Sequence, residues 1–129
     1  KGCAFYTATS SAMDIELKGA LSSLSGYDNI VVAIYAKVRY GTGKISISSA
    51  NIDLVNRLIE TGKNLAVISF GNPYLLKEFP TTPSYICAYG DSDFSIKAAL
   101  KAITGGVKFK GKLPVTITED HKYGTSIIK

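Results

Sequence analysis

Three groups of residues in this chain carry side chains that could do chemistry. The first would be nucleophilic. Gly90-Asp91-Ser92 sets a hydroxyl beside a carboxylate, and Asp120-His121 supplies an acid and an imidazole further on. A serine needs an adjacent base, itself oriented by a third group, before it attacks anything. Ser92 stands immediately before a helical pattern, where Asp91 or Ser92 serves as an ordinary N-cap. Cys87 is the other possible nucleophile, with His121 as its base, but it lies inside an apolar run that does not favour a thiolate. His121 is the only histidine and falls in a polar segment, where it reads as solvated.

The second group is acidic. Hydrolysis by paired carboxylates needs two of them flanking one bond. Of the ten acidic residues, Asp14, Glu16, Asp53 and Glu60 fall on helical segments, mostly on outward faces. Glu78, Asp91 and Asp93 fall near the edge where a ligand would sit, and the last two belong to a helix start, whose dipole favours negative charge. No acid/base pair is left over. The third group is the hydroxyl-rich run Thr7-Ala8-Thr9-Ser10-Ser11 ahead of a helix. It resembles the phosphate loop of a flavodoxin in composition and place, and helix N-termini attract anions, although hydroxyls there also serve as plain caps. No G-x-G-x-x-G follows the first apolar run, and no Walker loop is present. Gly90-Asp91-Ser92 also matches the short motif of one esterase class. There, however, the motif lies near the N-terminus and is completed by a late Asp-x-x-His. Two cysteines and one histidine, scattered, make no metal site. No catalytic residue, metal ligand or cofactor is assigned on these grounds.

Any such site must be positioned by an alternation of short apolar runs and helical periods. Cys3 to Tyr6 reads as a strand. Ser11 caps a helix carrying Leu17, Ala20, Leu21 and Leu24 at i, i+3, i+4 and i+7. Ile30 to Tyr35 is an unbroken, β-branched run, the pattern of a strand covered on both faces. Ser49 caps a second helix with Ile52, Val55, Leu58 and Ile59 inward, and Leu65 to Phe70 is the third strand. Tyr74 to Phe79 makes about one helical turn, Tyr85 to Tyr89 is the fourth strand, and Ile96, Ala99, Leu100 and Ile103 are the inward stripe of a last helix. Leu113 to Ile117 is extended, with Pro114 placing it at an edge or terminus. The order predicts an α/β fold: an open three-layer α/β/α sandwich with a mostly parallel, flavodoxin-like sheet. Ligands then bind outside the carboxyl ends of the strands, at 7–11, 36–48, 71–74 and 90–93.

Composition narrows the partners. At 129 residues and 46% hydrophobic, the chain is one globular domain with no internal repeat. The net charge of +5 comes from thirteen Lys and two Arg. Nucleic-acid readers lean on Arg forks, so the lysines read as a solvated surface and no nucleic-acid partner is expected. No apolar run approaches the ~20 residues of a membrane span. Lys1 to Phe5 does not read as a signal peptide. It reads as the interior of a longer chain, so residues 1–118 are expected to be an excised domain and 119–129 a polar tail. Cys3 and Cys87 read as small buried hydrophobes, and whether they pair is left open.

Four segments together resemble one family. Val67-Ile68-Ser69-Phe70-Gly71-Asn72-Pro73-Tyr74, Tyr85-Ile86-Cys87-Ala88-Tyr89-Gly90, Ala98 to Gly105 and Gly111-Lys112-Leu113-Pro114-Val115-Thr116-Ile117 follow the order and spacing of the C-terminal α/β domain of family 3 glycoside hydrolases. The likeness is specific over 65–118 and architectural over 1–64. The Asn-Pro-Tyr loop is most similar to the β-N-acetylglucosaminidase branch. The resemblance implies an accessory domain of a retaining enzyme whose nucleophile, and in this branch a His-Asp acid/base pair, reside on an N-terminal β/α barrel of the same parent. The other branch takes a Glu from this domain, and no obvious Glu stands on a ligand-edge loop here, Glu78 falling near that edge but within the predicted helical turn. It implies as partners that barrel and an N-acetylglucosamine-containing glycan, with Arg39, Tyr40, Asn72, Tyr74, Tyr89 and Asp91 bordering the substrate. It also implies a parent exported to the cell envelope, periplasmic or extracellular. The residues alone leave other readings: a stand-alone flavodoxin-like module binding a phosphate ligand or a protein partner, and a small esterase built on Ser92.

Overall fold

The computed structural model describes residues 4–9, 14–36 and 47–126. Its elements in chain order are α1 (Asp14–Leu24), β1 (Asn29–Ile34), α2 (Ser49–Glu60), β2 (Asn64–Ser69), a short 3₁₀ helix (Pro73–Glu78), β3 (Tyr85–Cys87) and α3 (Asp93–Ile103). The three strands form one parallel sheet in sequence order. Asn29 to Ile34 pair with Asn64 to Ser69, and Val67, Ile68 and Ser69 pair with Tyr85, Ile86 and Cys87. Parallel strands need crossovers. α2 makes the first crossover and the segment holding the 3₁₀ helix makes the second.

The pleat of β2 explains the layers. Leu65 and Val67 point to one side, where they meet Ile30, Ile34, Leu54, Val55, Leu58, Leu75 and Phe79. Ile68 and Phe70 point to the other side, onto Ala99, with Ile86, Ala88, Ile96 and Ile103 around them. Alternate residues of a strand face opposite sides, so one apolar run feeds two cores. α1, α2 and the 3₁₀ helix cover the first face and α3 covers the second. This is the α/β sandwich that the element order predicts.

Local chemistry fixes the helices. The Ser48 hydroxyl accepts from the Asn51 amide and caps α2, one residue before the predicted cap. Ser92 accepts from the Ser95 amide and caps α3, with Asp93 in the first turn where the dipole favours it. Lys63, in the turn after α2, donates its ammonium to the carbonyls of Leu24, Ser25 and Tyr27 and so closes the C-terminal end of α1.

Several sequence expectations are corrected. Residues Ala4 to Thr9 are not a strand. They are exposed, with Phe5 94% open, and Thr9 is tied to α2 through its carbonyl and the Asn51 amide. β1 is covered on one face only: Ile30 and Ile34 are buried, whereas Val31, Ala33 and Tyr35 on the other face are exposed. α3 lies over β2 and β3 and leaves that part of β1 open. Leu100, expected on the inward stripe of α3, is exposed, and Ala99 is the buried residue of that helix. Leu113 to Ile117 is not a sheet strand either. Leu113 exchanges backbone bonds with Thr125 and Gly124, and the Ile117 amide donates to the His121 carbonyl, so the following residues take the bonding groups a sheet neighbour would need. Cys3 and Ser11 lie outside the described residues.

The fully buried Phe79 anchors the second crossover to the first core. Phe79→Ala is expected to lower unfolding free energy by about 3–5 kcal/mol, and Leu100→Ala, on the exposed side of α3, by about 0.5 kcal/mol or less. Urea denaturation of the two variants beside the parent chain measures both.

Candidate functional site at the carboxyl edge of the sheet

The three strands run in the same direction, so the turns that follow them gather at one edge. β1 is followed by Tyr35 and Ala36, β2 by Phe70 to Tyr74, and β3 by Ala88 to Asp91. Neighbouring strands lie about 4.8 Å apart, so the three turns are within reach of one small ligand.

The turn after β2 is the most tightly tied. Ser69 is buried, and its hydroxyl donates to the Asn72 carbonyl at 2.8 Å. Its own carbonyl accepts from the Ala88 amide at 2.9 Å, and the Phe70 amide donates to the Ile34 carbonyl at 2.9 Å, so both neighbouring strands hold this end. Gly71 has φ +142°, and a Cβ there would lie 3.1 Å from the Ala36 carbonyl oxygen, so the turn needs glycine twice over. The Asn72 side chain accepts from the Tyr74 amide at 2.9 Å and caps the 3₁₀ helix, with Pro73 at its start. Tyr74 is partly exposed, and the Lys77 ammonium sits 5.5 Å from its ring centroid.

The turn after β3 carries strain. Tyr89 has φ +58°, a left-handed conformation uncommon for a bulky residue. Such strain persists only where surrounding structure enforces it, and it clusters at functional sites. The Tyr89 ring is partly exposed, and burial on its inner side, with Cys87 alongside, pushes its phenol up to about 12. Asp91 is exposed beside it. The structure therefore brings Asn72, Tyr74, Tyr89 and Asp91 to one edge of the sheet. Arg39 and Tyr40 lie outside the described residues.

Sequence reasoning overlooked Tyr35. Its ring stacks on Phe70 with centroids 4.8 Å apart and planes 8° from parallel. Phe70 is buried and Tyr35 is 54% exposed, so one face of the tyrosine rests on the core and the other is open. The signal was there: a tyrosine directly after a strand, one step beyond the pair Ile34 and Ser69. The continuous apolar run hides it, because a strand covered on both faces would bury its last residue.

The candidate nucleophiles do not assemble. The Ser92 hydroxyl is engaged as the cap of α3. Cys87, half-buried along a groove of about 650 Å³ beside the free edge of β3, has its thiol pushed up by burial, the wrong direction for a nucleophile. His121 also lines the groove, but its Nδ1 is 2.8 Å from the Thr118 hydroxyl in a local turn. Among the described residues no three His, Cys, Asp or Glu side chains converge as a metal site, and no helix is long and apolar enough to cross a membrane.

A parallel sheet with helices on both faces, its tightest turns gathered at the carboxyl edge, defines an α/β sandwich domain. The model of the glycosyl hydrolase family 3 C-terminal domain matches residues 5–126. The chain belongs to that family, the accessory domain of glycoside hydrolases that carry their catalytic domain N-terminal to it. No curated protein and no solved structure compared with the chain matches it.

Tyr85 gives the fold a pH dependence. Its hydroxyl oxygen is enclosed near Ser69 and the Leu76 backbone without a well-formed hydrogen bond, and burial, outweighing those neighbours, raises its phenol well above the ordinary 10.0. A raised phenol favours the neutral form in the folded state. The resulting stability is complete below pH 10.0 and is lost above it, as the unfolded chain ionises first. Thermal melts from pH 8 to 11 are expected to show this alkaline decline, and Tyr85→Phe to reduce it, the raised Tyr89 phenol sustaining the remainder, while leaving stability at pH 7 close to that of the parent chain.

Proposed function

We propose that this chain is the C-terminal domain of a retaining β-N-acetylglucosaminidase, docking on a β/α barrel of the same parent protein and bordering its active site. The supporting observation is the placement of Asn72 and Tyr74, after β2, and of Tyr89 and Asp91, after β3, at the same carboxyl edge of the sheet. An amide, two phenols and a carboxylate can hydrogen-bond sugar hydroxyls and an acetamido group, and the phenol rings can cover an apolar sugar face. Arg39 and Tyr40 belong to the same reading by their place in the sequence after β1.

The nucleophile and the acid/base pair belong to the barrel in this reading. The domain supplies contacts that hold the substrate and restrict water at the mouth of the barrel, which is a positioning role. The exported, cell-envelope location belongs to this reading too.

The parent protein carrying a barrel is expected to hydrolyse 4-nitrophenyl N-acetyl-β-D-glucosaminide in preference to the glucoside, and the isolated chain to hydrolyse neither. Asn72→Ala and Asp91→Ala in the parent are expected to raise KM several-fold with a smaller change in kcat. Turnover by the isolated chain, lost on replacing Asp91 or Ser92, would contradict the assignment, as would a parent that prefers the glucoside.

A further inference from the structure

We infer that Tyr35 is a sugar-stacking platform, the binding surface for one ring of a β-linked, equatorially substituted glycan at the rim of the candidate site. The inference rests on the reading of the domain as a glycoside hydrolase accessory unit and deepens it by naming a contact and the ring geometry it selects.

Four observations carry it. The Tyr35 ring is held nearly parallel to Phe70, 4.8 Å between centroids and 8° between planes. Phe70 is itself fixed, 5% exposed and packed with Ile68 and Ala99 in the second core. The backbone beneath is fixed as well, since the Phe70 amide bonds the carbonyl of Ile34, the residue before Tyr35. Finally, Tyr35 remains 54% exposed despite that stack, so its outer face is open. A surface tyrosine ordinarily loses rotamer freedom when a ligand orders it. This one is already ordered, so a ligand stacking on it meets little of that cost.

The exposed shape selects the ligand. A flat, rigid, electron-rich ring takes a flat partner with C–H groups on its face. In a β-linked hexopyranose with equatorial substituents, the axial C–H bonds on alternate carbons make one such face, while the hydroxyls and the acetamido group project sideways. Val31 and Ala33 continue the apolar surface away from Tyr35 along β1. Asn72 lies on the turn after the neighbouring strand β2, and Tyr89 and Asp91 lie on the turn after β3, one strand further along the same edge.

The test uses the chain as it stands and N,N′-diacetylchitobiose as the probe, followed by ring signals of labelled tyrosine and by saturation transfer to the sugar protons. Weak binding is expected, with upfield shifts of the axial protons of one sugar ring. Tyr35→Ala is expected to weaken binding by about three- to tenfold, the range of one aromatic stacking contact, and Tyr35→Phe to retain it within about twofold. Urea midpoints of both variants show whether the sheet is intact. Three results would overturn the platform: no binding of the disaccharide up to its solubility limit, binding unchanged by Tyr35→Ala, or equal loss in Tyr35→Phe. Binding that depends on Asn72 or Asp91 but not on Tyr35 refutes the platform and leaves the accessory reading standing. Tyr35-dependent binding beside a parent enzyme that prefers glucosides supports the platform and refutes the N-acetylglucosaminidase assignment.

Discussion

Burial of β2 on both faces is the interaction on which everything else depends. It is the strand hydrogen-bonded on both edges, to β1 and to β3, and its residues alternate between two separate cores. Leu65 and Val67 hold α1, α2 and the 3₁₀ helix, and Ile68 and Phe70 hold α3. Each fully buried aliphatic or aromatic side chain contributes roughly 1.5–3 kcal/mol of transfer free energy, so this one strand carries a large share of a domain's marginal stability. A strand so constrained cannot slip in register, because a one-residue shift would exchange the two cores.

That rigidity sets the site. The turn leaving β2 is bonded to the strands on both sides through Ser69 and Phe70, and it contains a glycine that the neighbouring carbonyl of Ala36 requires. Asn72 is consequently presented in a fixed position. The stack of Tyr35 on Phe70 extends the second core to the surface at the same edge. The strained backbone of Tyr89 is the counterpart on β3. The carboxyl edge is thus the place where the fold turns packing into positioned polar and aromatic groups.

The sequence made the central strands and helices legible because their signals were redundant. Leu65 to Phe70 is apolar except for Ser69, with β-branched Val67 and Ile68 at its centre, and is bounded by Gly62 and Gly71; α2 and α3 have serine caps and an apolar stripe. The margins were harder to read. Ala4 to Tyr6 and Leu113 to Ile117 have strand composition, but strand formation depends on a partner edge, and composition does not show which backbone groups are already taken. Continuous hydrophobicity in Ile30 to Tyr35 implied cover on both faces, yet α3 reaches only β2 and β3. The same misreading hid Tyr35, whose open face follows from that missing cover. The place of Asn72, Tyr74, Tyr89 and Asp91 at the carboxyl edge was legible from topology, whereas the left-handed backbone of Tyr89 was not, since nothing in Ala88-Tyr89-Gly90 announces it.

Native-state hydrogen exchange on the isolated chain, resolved by residue, measures the constraint most directly. The account predicts that the amides of Val67 and Phe70, bonded to Ser84 and Ile34 on opposite sides of β2, exchange only through global unfolding, with equal and maximal protection. Exchange of either amide through local opening, faster than the amides of α2 or α3, would show that β2 does not hold the two layers together and would contradict the account.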